Sequence, residues 1–108
     1  MGIMGYIKTV RIISRRTLRQ FWQNHRYSDS EQALRAWYAE AKQANWASPQ
    51  EIKEHYRSAS IIENNRVVFN ICRNKYRLIV AVKYTFRIIY IRFVGTHKQY
   101  DKINAEEI

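Results

Sequence analysis

The apolar residues change from helical to alternating spacing after residue 65, and this change constrains the fold more than any other feature. Three β-rich stretches follow there, "RVVFNIC", "KYRLIVAVKY" and "RIIYIRFV". Arg73-Asn74 separates the first two and Thr85-Phe86 the last two, and links of two residues are typical of β-hairpins. Neither pair is an ideal turn sequence, so links of four residues, which keep the same register, are an alternative. The sequence predicts an antiparallel meander of three strands.

The N-terminal half adds one strand and several helices. "IKTVRII", residues 7–13, is rich in β-branched residues and alternates weakly, which predicts a strand. Apolar spacing and capping patterns then predict helices within residues 14–25, 28–45 and 48–56. A chain of 108 residues can form one domain with a modest core. We expect one α+β domain over residues 1–108, with two or three N-terminal helices packed on one face of a small antiparallel sheet.

The turn positions determine which residues face each other across the sheet, and directly paired residues share a face. The turn at Thr85-Phe86 pairs Lys83 with Ile88, Ala81 with Tyr90, Ile79 with Arg92, and Arg77 with Val94. The turn at Arg73-Asn74 pairs Asn70 with Arg77, and at the end of the sheet Thr96 would pair with Lys75.

This register separates an apolar face from a basic face. The apolar face must pack on the helices, because nearly all of its side chains are hydrophobic. It carries Val67, Phe69, Ile71, Tyr76, Leu78, Val80, Val82, Ile89, Ile91 and Phe93. The other face, which we call the basic face, is predicted to be open and polar. It carries Asn70, Lys75, Arg77, Lys83, Tyr90 and Arg92.

Arg77 and Arg92 become diagonal neighbours on the basic face, about 7–8 Å apart at the backbone. Two guanidinium groups this close repel each other unless an anion lies between them. The sequence therefore predicts a site for a phosphate-sized anion. The alternative is that each arginine meets water or a C-terminal carboxylate such as Asp101.

The stretch "VGTHKQYDKI", residues 94–103, follows the last strand directly. Gly95 permits a sharp exit from the sheet, so that His97, Lys98 and Tyr100 hang beside the two arginines. A titratable imidazole, an ammonium and a phenol around a phosphate site suit RNA cleavage by the substrate's own 2′-hydroxyl. Asp101 can orient His97, hold Arg92 or simply close a turn. Asn70 can touch the substrate or satisfy the end of its strand.

Charge predicts a polyanionic or acidic partner, because the formal net charge is +10. The surplus lies at the two ends of the chain. Six basic residues and no acidic one precede Asp29, and nine basic residues and one acid lie between Arg66 and Lys102. The basic field therefore includes the predicted anion site.

Several classes of protein and site are not expected. No apolar run approaches the roughly 18–20 residues of a membrane span. The single cysteine, Cys72, excludes an internal disulfide and fits a reducing cytoplasm. The three histidines lie far apart in sequence and no Cys/His pair has metal-ligand spacing, so we expect no metal and no cofactor.

The C-terminal stretches also resemble a known family. "FNICRNKYRLIVAVKY" and "IYIRFVGTHKQYDKI" resemble the HigB group of RelE-like toxins, the mRNA interferases of type II toxin–antitoxin systems. The pattern consists of an "FN" strand, the arginine in "YRLIV", the "YIR" strand and the "TH-K-x-Y-D" end. It covers Val67 to Ile103 closely, whereas the N-terminal half matches the layout of the family more than its letters.

The resemblance implies a RelE-like fold with an RNA-binding hollow, and cleavage of mRNA in the decoding site of the ribosome. It also implies a cytoplasmic toxin that a helix-turn-helix, HigA-like antitoxin neutralises and that meets operator DNA only through this antitoxin. Arg77 and Arg92 then correspond to the arginines that bind the phosphate and stabilise the transition state. His97 is the general acid or base, and Lys98 and Tyr100 support proton transfer or stacking.

Four more residues complete the expected site. Lys75 and Lys83 would add electrostatic attraction for RNA, Tyr90 would stack on a base, and Asn70 would touch the substrate. Two other functions remain open on the residues alone. One is a non-catalytic RNA- or DNA-binding module, which needs the arginines but not His97. The other is an inert partner whose basic surface binds an acidic protein.

Overall fold

The structure, a computed structural model, describes residues 9–108. The strands are β1 (Arg11–Ile13), β2 (Ser60–Ile62), β3 (Arg66–Ile71), β4 (Tyr76–Lys83) and β5 (Ile88–Thr96). The helices are α1 (Arg15–Gln23), α2 (Glu31–Ala44), α3 (Pro49–His55) and α4 (His97–Tyr100), with a 3₁₀ segment at His25–Ser30 between α1 and α2. Residues 7 and 8 of the predicted first strand lie outside the described residues.

The five strands form one sheet in the order β1-β5-β4-β3-β2. Three neighbouring pairs are antiparallel, whereas β1 runs parallel to β5. The α+β class and the predicted meander β3-β4-β5 are confirmed. The sheet differs from the prediction in having the short strand β2 and one parallel pair.

Both hairpin links have four residues, 72–75 and 84–87, and therefore match the longer alternative. The first link leaves Ile71 opposite Tyr76 and Asn70 opposite Arg77, as predicted. The second leaves Lys83 opposite Ile88 and Ala81 opposite Tyr90, as predicted.

Farther from the second turn the predicted register is wrong, because β5 contains a β-bulge. Val80 faces Ile91 and Ile79 faces Phe93, so Arg92 is an extra residue between the two pairs. Such an insertion shifts every following residue to the other face of its strand. Arg77 therefore faces Gly95 instead of Val94.

The bulge also exchanges side chains between the two faces at the end of β5. Thr96 faces Tyr76 instead of Lys75, and Phe93 shares the basic face with Ile79. Val94 takes the place predicted for Phe93 and packs against the core.

The core forms where the apolar face of the sheet meets α1, α2 and α3. The predicted apolar positions from Val67 to Ile89 are all at most 5% exposed, and Ile91 packs against them in part. Two tryptophan rings pack on Phe69: Trp37 of α2 meets it edge-on with ring centres 5.4 Å apart, and Trp46 stacks on it with ring centres 6.0 Å apart. Burial of this face against the helices is the largest stabilising contribution that the pattern predicts.

The basic face is less open than predicted. Val68, Ile79 and Ala81 lie on this face and are 4%, 0% and 7% exposed. The C-terminal segment reaches the same face, because the main-chain oxygen of Ile108 accepts hydrogen bonds from side chains of β3 and β5. The polar rim of the face is exposed, but its centre is buried.

Candidate active site

Helix α4 carries three of the predicted site residues, and its start is determined locally. Thr96 is the N-cap: its hydroxyl accepts from the Gln99 amide at 3.1 Å, and Gln99 Oε1 accepts from the Thr96 amide at 2.9 Å. This reciprocal pair is a capping box. The helix packs against β4 and β5. His97, Lys98 and Tyr100 are therefore held at the end of the sheet.

Gly95 lets α4 approach the sheet this closely. A Cβ atom at residue 95 would lie 2.6 Å from Gln99 Oε1 and 2.6 Å from Cζ of Phe93. Real Cβ atoms do not make such contacts, so a larger residue would displace one of these groups. Gly95 was predicted as an exit from the strand, and its close approach to Gln99 is the stronger reason for glycine.

Arg77 and Tyr100 lie together at this end of the sheet. The guanidinium carbon of Arg77 is 5.8 Å from the centre of the Tyr100 ring, within range of a cation–π contact. Arg77 Nη1 also donates to the carbonyl of Asn74 at 3.0 Å. The Arg77 side chain is half-buried, and its Nη1 is held by this hydrogen bond. The positions of its remaining donors are therefore restricted.

His97 is paired with Asp101 one helical turn later. His97 Nδ1 lies 3.3 Å from Asp101 Oδ2, and both side chains are more than half exposed. The Asp101 amide also donates to the carbonyl of His97 at 3.0 Å, so Asp101 both closes the turn and touches the imidazole. A carboxylate at Nδ1 favours a proton on that nitrogen and leaves Nε2 to exchange protons with a substrate. Lys98, on the same helix, is exposed.

Arg92 is held by a partner that the sequence analysis did not include. Arg92 Nε donates to the main-chain oxygen of Ile108 at 3.1 Å. Arg66 donates to the same oxygen from Nε at 3.1 Å and from Nη2 at 2.7 Å. The arginine that shares an acceptor with Arg92 is therefore Arg66, whereas Arg77 contacts Tyr100. The register contained this signal, because Arg66 faces Ala81, which in turn faces Tyr90.

Lys75 binds within the protein rather than beside Arg77. Its ammonium pairs with the carboxylate of Asp29, which also accepts from the Tyr76 hydroxyl at 2.5 Å. The hydrogen bond from Lys75 lowers the pKa of Asp29, and the same bond raises the pKa of Lys75. Burial raises the pKa of Tyr76 to about 12. This cluster fastens the 3₁₀ segment to the β3–β4 link, so the contact of Lys75 with RNA stays a prediction.

The other predicted binding residues are spread along the sheet. Asn70 Nδ2 donates to the carbonyl of Ser58 at 3.3 Å, so it satisfies the chain before β2. Tyr90 is half-buried in the middle of the sheet. Lys83 is exposed at the far end of β4, beside an open cleft of about 200 Å³. Six residues of strand, or roughly 20 Å, separate it from Arg77, so the two cannot hold one phosphate.

Two further observations concern metal ions and membrane-spanning helices, neither of which the sequence predicts. Within residues 9–108, no group of three or more His, Cys, Asp or Glu side chains is placed to hold a metal ion. In the same part of the chain, every helix is too short or too polar to cross a bilayer.

The comparison with protein families gives a match. A family model described as HigB_toxin, the RelE-like toxic component of a toxin–antitoxin system, matches residues 30–103. This range includes every candidate site residue from Arg66 to Asp101. The search of curated proteins returned no match.

Proposed function

The chain belongs to the RelE-like HigB toxins, the toxic components of toxin–antitoxin systems, and from this premise we propose that it is an endoribonuclease that cleaves mRNA in the ribosomal decoding site. The proposal extends the toxin role to a reaction and a substrate. It also places the reaction at the ribosome, in the cytoplasm.

The observation that carries the proposal is the grouping at the end of the sheet. Arg77 lies over the ring of Tyr100, and His97 stands one turn earlier on the same short helix with Asp101 at its Nδ1. Cleavage of RNA without an external nucleophile needs a base, an acid and cations beside one phosphate. Arg77 supplies a cation, and His97 and Tyr100 supply groups that can act as the base and the acid.

The reaction follows from the substrate's own 2′-hydroxyl. A base takes the 2′-hydroxyl proton, the 2′-oxygen bonds to phosphorus, and the bond from phosphorus to the 5′-oxygen breaks. An acid gives a proton to that leaving oxygen, Arg77 stabilises the negative charge of the phosphorane, and Arg92 binds the RNA backbone nearby. His97, Lys98 and Tyr100 share the two proton transfers. The products are a 2′,3′-cyclic phosphate and a 5′-hydroxyl.

Mapping mRNA ends on translating ribosomes tests the proposal. The wild-type protein should produce new ends inside reading frames, and Arg77→Ala and Arg92→Ala should each lower the cleavage rate about 10²–10³-fold. Arg57→Ala is a matched control, because Arg57 is exposed in the loop before β2. Cleavage by both site variants at the wild-type rate would refute the roles of the two arginines.

The chemistry of the ends tests the mechanism separately. Cleavage of a pre-assembled ribosome–mRNA substrate should persist in EDTA and leave a 2′,3′-cyclic phosphate or a 3′-phosphate. Ends with a 5′-phosphate and a 3′-hydroxyl would indicate attack by water, as in metal-assisted hydrolysis, and would overturn this mechanism.

The family implies an antitoxin partner, and we propose that it is a helix-turn-helix protein with an acidic segment. The net charge of +10 favours such a segment through electrostatic steering. Operator DNA would be reached only through this antitoxin. Co-expression with the neighbouring reading frame should relieve toxicity and yield a complex on purification. Toxicity unchanged by that protein, with no complex, would contradict this partner.

A non-catalytic RNA-binding module is the second candidate. It is favoured by the acceptor that Arg66 and Arg92 share, because binding an anion with these two arginines needs no histidine. His97→Ala separates the two functions. It should abolish new mRNA ends while RNA binding persists, whereas a pure binding module would arrest growth equally with or without His97.

A further inference from the structure

We propose that Arg66 and Arg92 form a phosphate-binding subsite for RNA, and that the segment 104–108 occupies this subsite until RNA displaces it. The inference rests on the proposed function, since it names how the same face binds the RNA backbone. It adds Arg66, which lies outside the grouping around Tyr100, and it assigns a competing role to the C-terminal segment.

The first support is the convergence of donors. Three guanidinium nitrogens, two of Arg66 and one of Arg92, lie 2.7–3.1 Å from a single oxygen of Ile108. Two guanidinium groups that share an acceptor repel each other, and a charged acceptor relieves that repulsion best. The planar fork of arginine matches the spacing of phosphate oxygens. The pair therefore suits an anionic group with several oxygens, such as a phosphate.

The second support is how the fold builds the pair. Arg66 starts β3 and is fixed by a bond from Nη1 to the carbonyl of Asn64 at 2.9 Å. Arg92 is the extra residue of the bulge in β5. On β4, the strand between them, the residue opposite Arg66 is Ala81, which has a small side chain and is 7% exposed. A bulge commonly redirects a side chain in this way.

The third support is the irregular conformation of the segment that occupies the pair. Residues 104–108 lie outside every helix and strand. Asn104 organises the segment, because its side chain accepts from the Glu106 amide at 3.0 Å and its carbonyl from the Ile108 amide at 3.1 Å. Apart from the two arginines, the hydrogen bond to the sheet runs from Asn64 Nδ2 to the carbonyl of Glu106 at 3.0 Å.

The charges of the segment favour competition with RNA. Glu106 and Glu107 bring two carboxylates to the basic face, where they oppose the approach of phosphates. A phosphate offers several oxygens to the donors that Ile108 now occupies. The apparent affinity for RNA should therefore be reduced by the fraction of molecules in which the segment is docked.

The turn between β2 and β3 offers a matched pair of variants in the full chain. Asn64 and Asn65 both have positive φ, 60° and 59°, which glycine adopts without strain. Asn64→Gly removes the bond to Glu106 and keeps the carbonyl that holds Arg66. Asn65→Gly makes the same change one residue later and keeps the bond to the segment.

Binding to a short single-stranded RNA, with 2′-O-methyl sugars to prevent cleavage, can be followed by fluorescence anisotropy. Asn64→Gly should bind about 2- to 10-fold more tightly, the effect of losing one ordinary hydrogen bond that holds the competitor. Asn65→Gly should bind like the wild type. Equal affinities for the two variants, or weaker binding by Asn64→Gly, would overturn the competing role of the segment.

The subsite itself is tested by Arg66→Ala in the same assay. Its affinity should fall at least about 10-fold, as expected for a charge-assisted contact. The slope of log K against log salt should fall by about 0.7, the value for one phosphate contact on a single strand. Arg57→Ala should change neither quantity. Wild-type affinity and slope for Arg66→Ala, in a protein whose thermal unfolding is unchanged, would overturn the subsite.

The outcomes separate this inference from the proposed function. A wild-type protein that cleaves mRNA while Arg66→Ala binds normally would refute the subsite alone. A wild-type protein that leaves mRNA intact but loses affinity on Arg66→Ala would refute the nuclease function alone. If Arg66→Ala unfolds, Arg66→Lys keeps the charge without the fork and should bind more weakly than wild type; undiminished binding by Arg66→Lys would refute the subsite.

Discussion

Gly95→Ala tests whether the approach of α4 to the sheet controls the site. The new methyl group would meet Gln99 Oε1 at 2.6 Å, and Cζ and Cε2 of Phe93 at 2.6 and 3.1 Å. The Gln99 side chain is flexible and can swing away, but its hydrogen bond to the Thr96 amide is then lost. The Phe93 ring has less freedom, because it is half-buried on the sheet.

Three contributions determine how much Gly95→Ala changes the free energy of unfolding. Loss of the capping bond costs about 0.5–1.5 kcal/mol, and an extra methyl group in a tight site costs about 1–3 kcal/mol. Replacing glycine in a strand returns about 0.5–1 kcal/mol of conformational entropy. The free energy of unfolding should fall by about 0.5–4 kcal/mol in total. For a chain of this size, that corresponds to a lowering of Tm by at least about 2 °C.

Urea denaturation of the wild type, Gly95→Ala, Gln99→Ala and the double variant measures this effect. The capping bond can be lost only once, so the double variant should cost about 0.5–1.5 kcal/mol less than the sum of the single variants. The position of His97 depends on α4, so cleavage by Gly95→Ala should also fall at temperatures where the protein is folded. A free energy of unfolding for Gly95→Ala within 0.5 kcal/mol of wild type, a band of roughly the size found at ordinary surface sites, would refute the argument.

Two further predictions concern single side chains. Asp29 has a pKa below 3.8 in the folded protein, so its stabilising contribution is full above about pH 3.8 and is lost as the pH falls through the folded pKa. Asp29→Asn should therefore lower the free energy of unfolding at pH 7 and converge with wild type in acid, and a constant difference from pH 7 to pH 3 would contradict this. Tyr100→Phe keeps the ring over Arg77 and removes only the phenol. It should retain RNA binding, and a loss of cleavage would assign the phenol to proton transfer, whereas full cleavage would leave the ring with a positioning role alone.

The parts of the fold that the sequence predicted follow from local and alternating patterns. The hairpin registers near both turns were correct, because a one-residue slip would have exposed the apolar residues from Val67 to Ile89. The bulge at Arg92 could not be predicted, because both Phe93 and Val94 are apolar and either can face the core. The strand β2 and the segment 104–108 have no periodic pattern, and β1 pairs with β5 across more than 70 residues.

The same reasons explain which site residues were found. His97 and Tyr100 follow directly after β5, so their position depends on a short stretch of chain and a local capping box. Arg66 was not predicted as a site residue, although extending the register from the pair Asn70–Arg77 would have placed it opposite Ala81. It stands at the start of a strand whose other residues are mostly apolar. The acceptor that joins it to Arg92 lies 42 residues later in the chain, and no sequence pattern connects the two.

The bulge gives the two predicted arginines separate partners, and this separation can be tested with one double variant. In a regular strand Arg77 and Arg92 would be diagonal neighbours on one anion. In the structure Arg77 contacts Tyr100, whereas Arg92 shares an acceptor with Arg66. Effects of residues without shared partners add to within about 0.3–0.5 kcal/mol, or roughly a factor of two. The losses in cleavage efficiency, kcat/KM, of Arg66→Ala and Arg77→Ala should therefore multiply in the double variant. A double variant no worse than the poorer single one would show that both groups act on the same phosphate, and the single anion site predicted from the regular register would then be the better description.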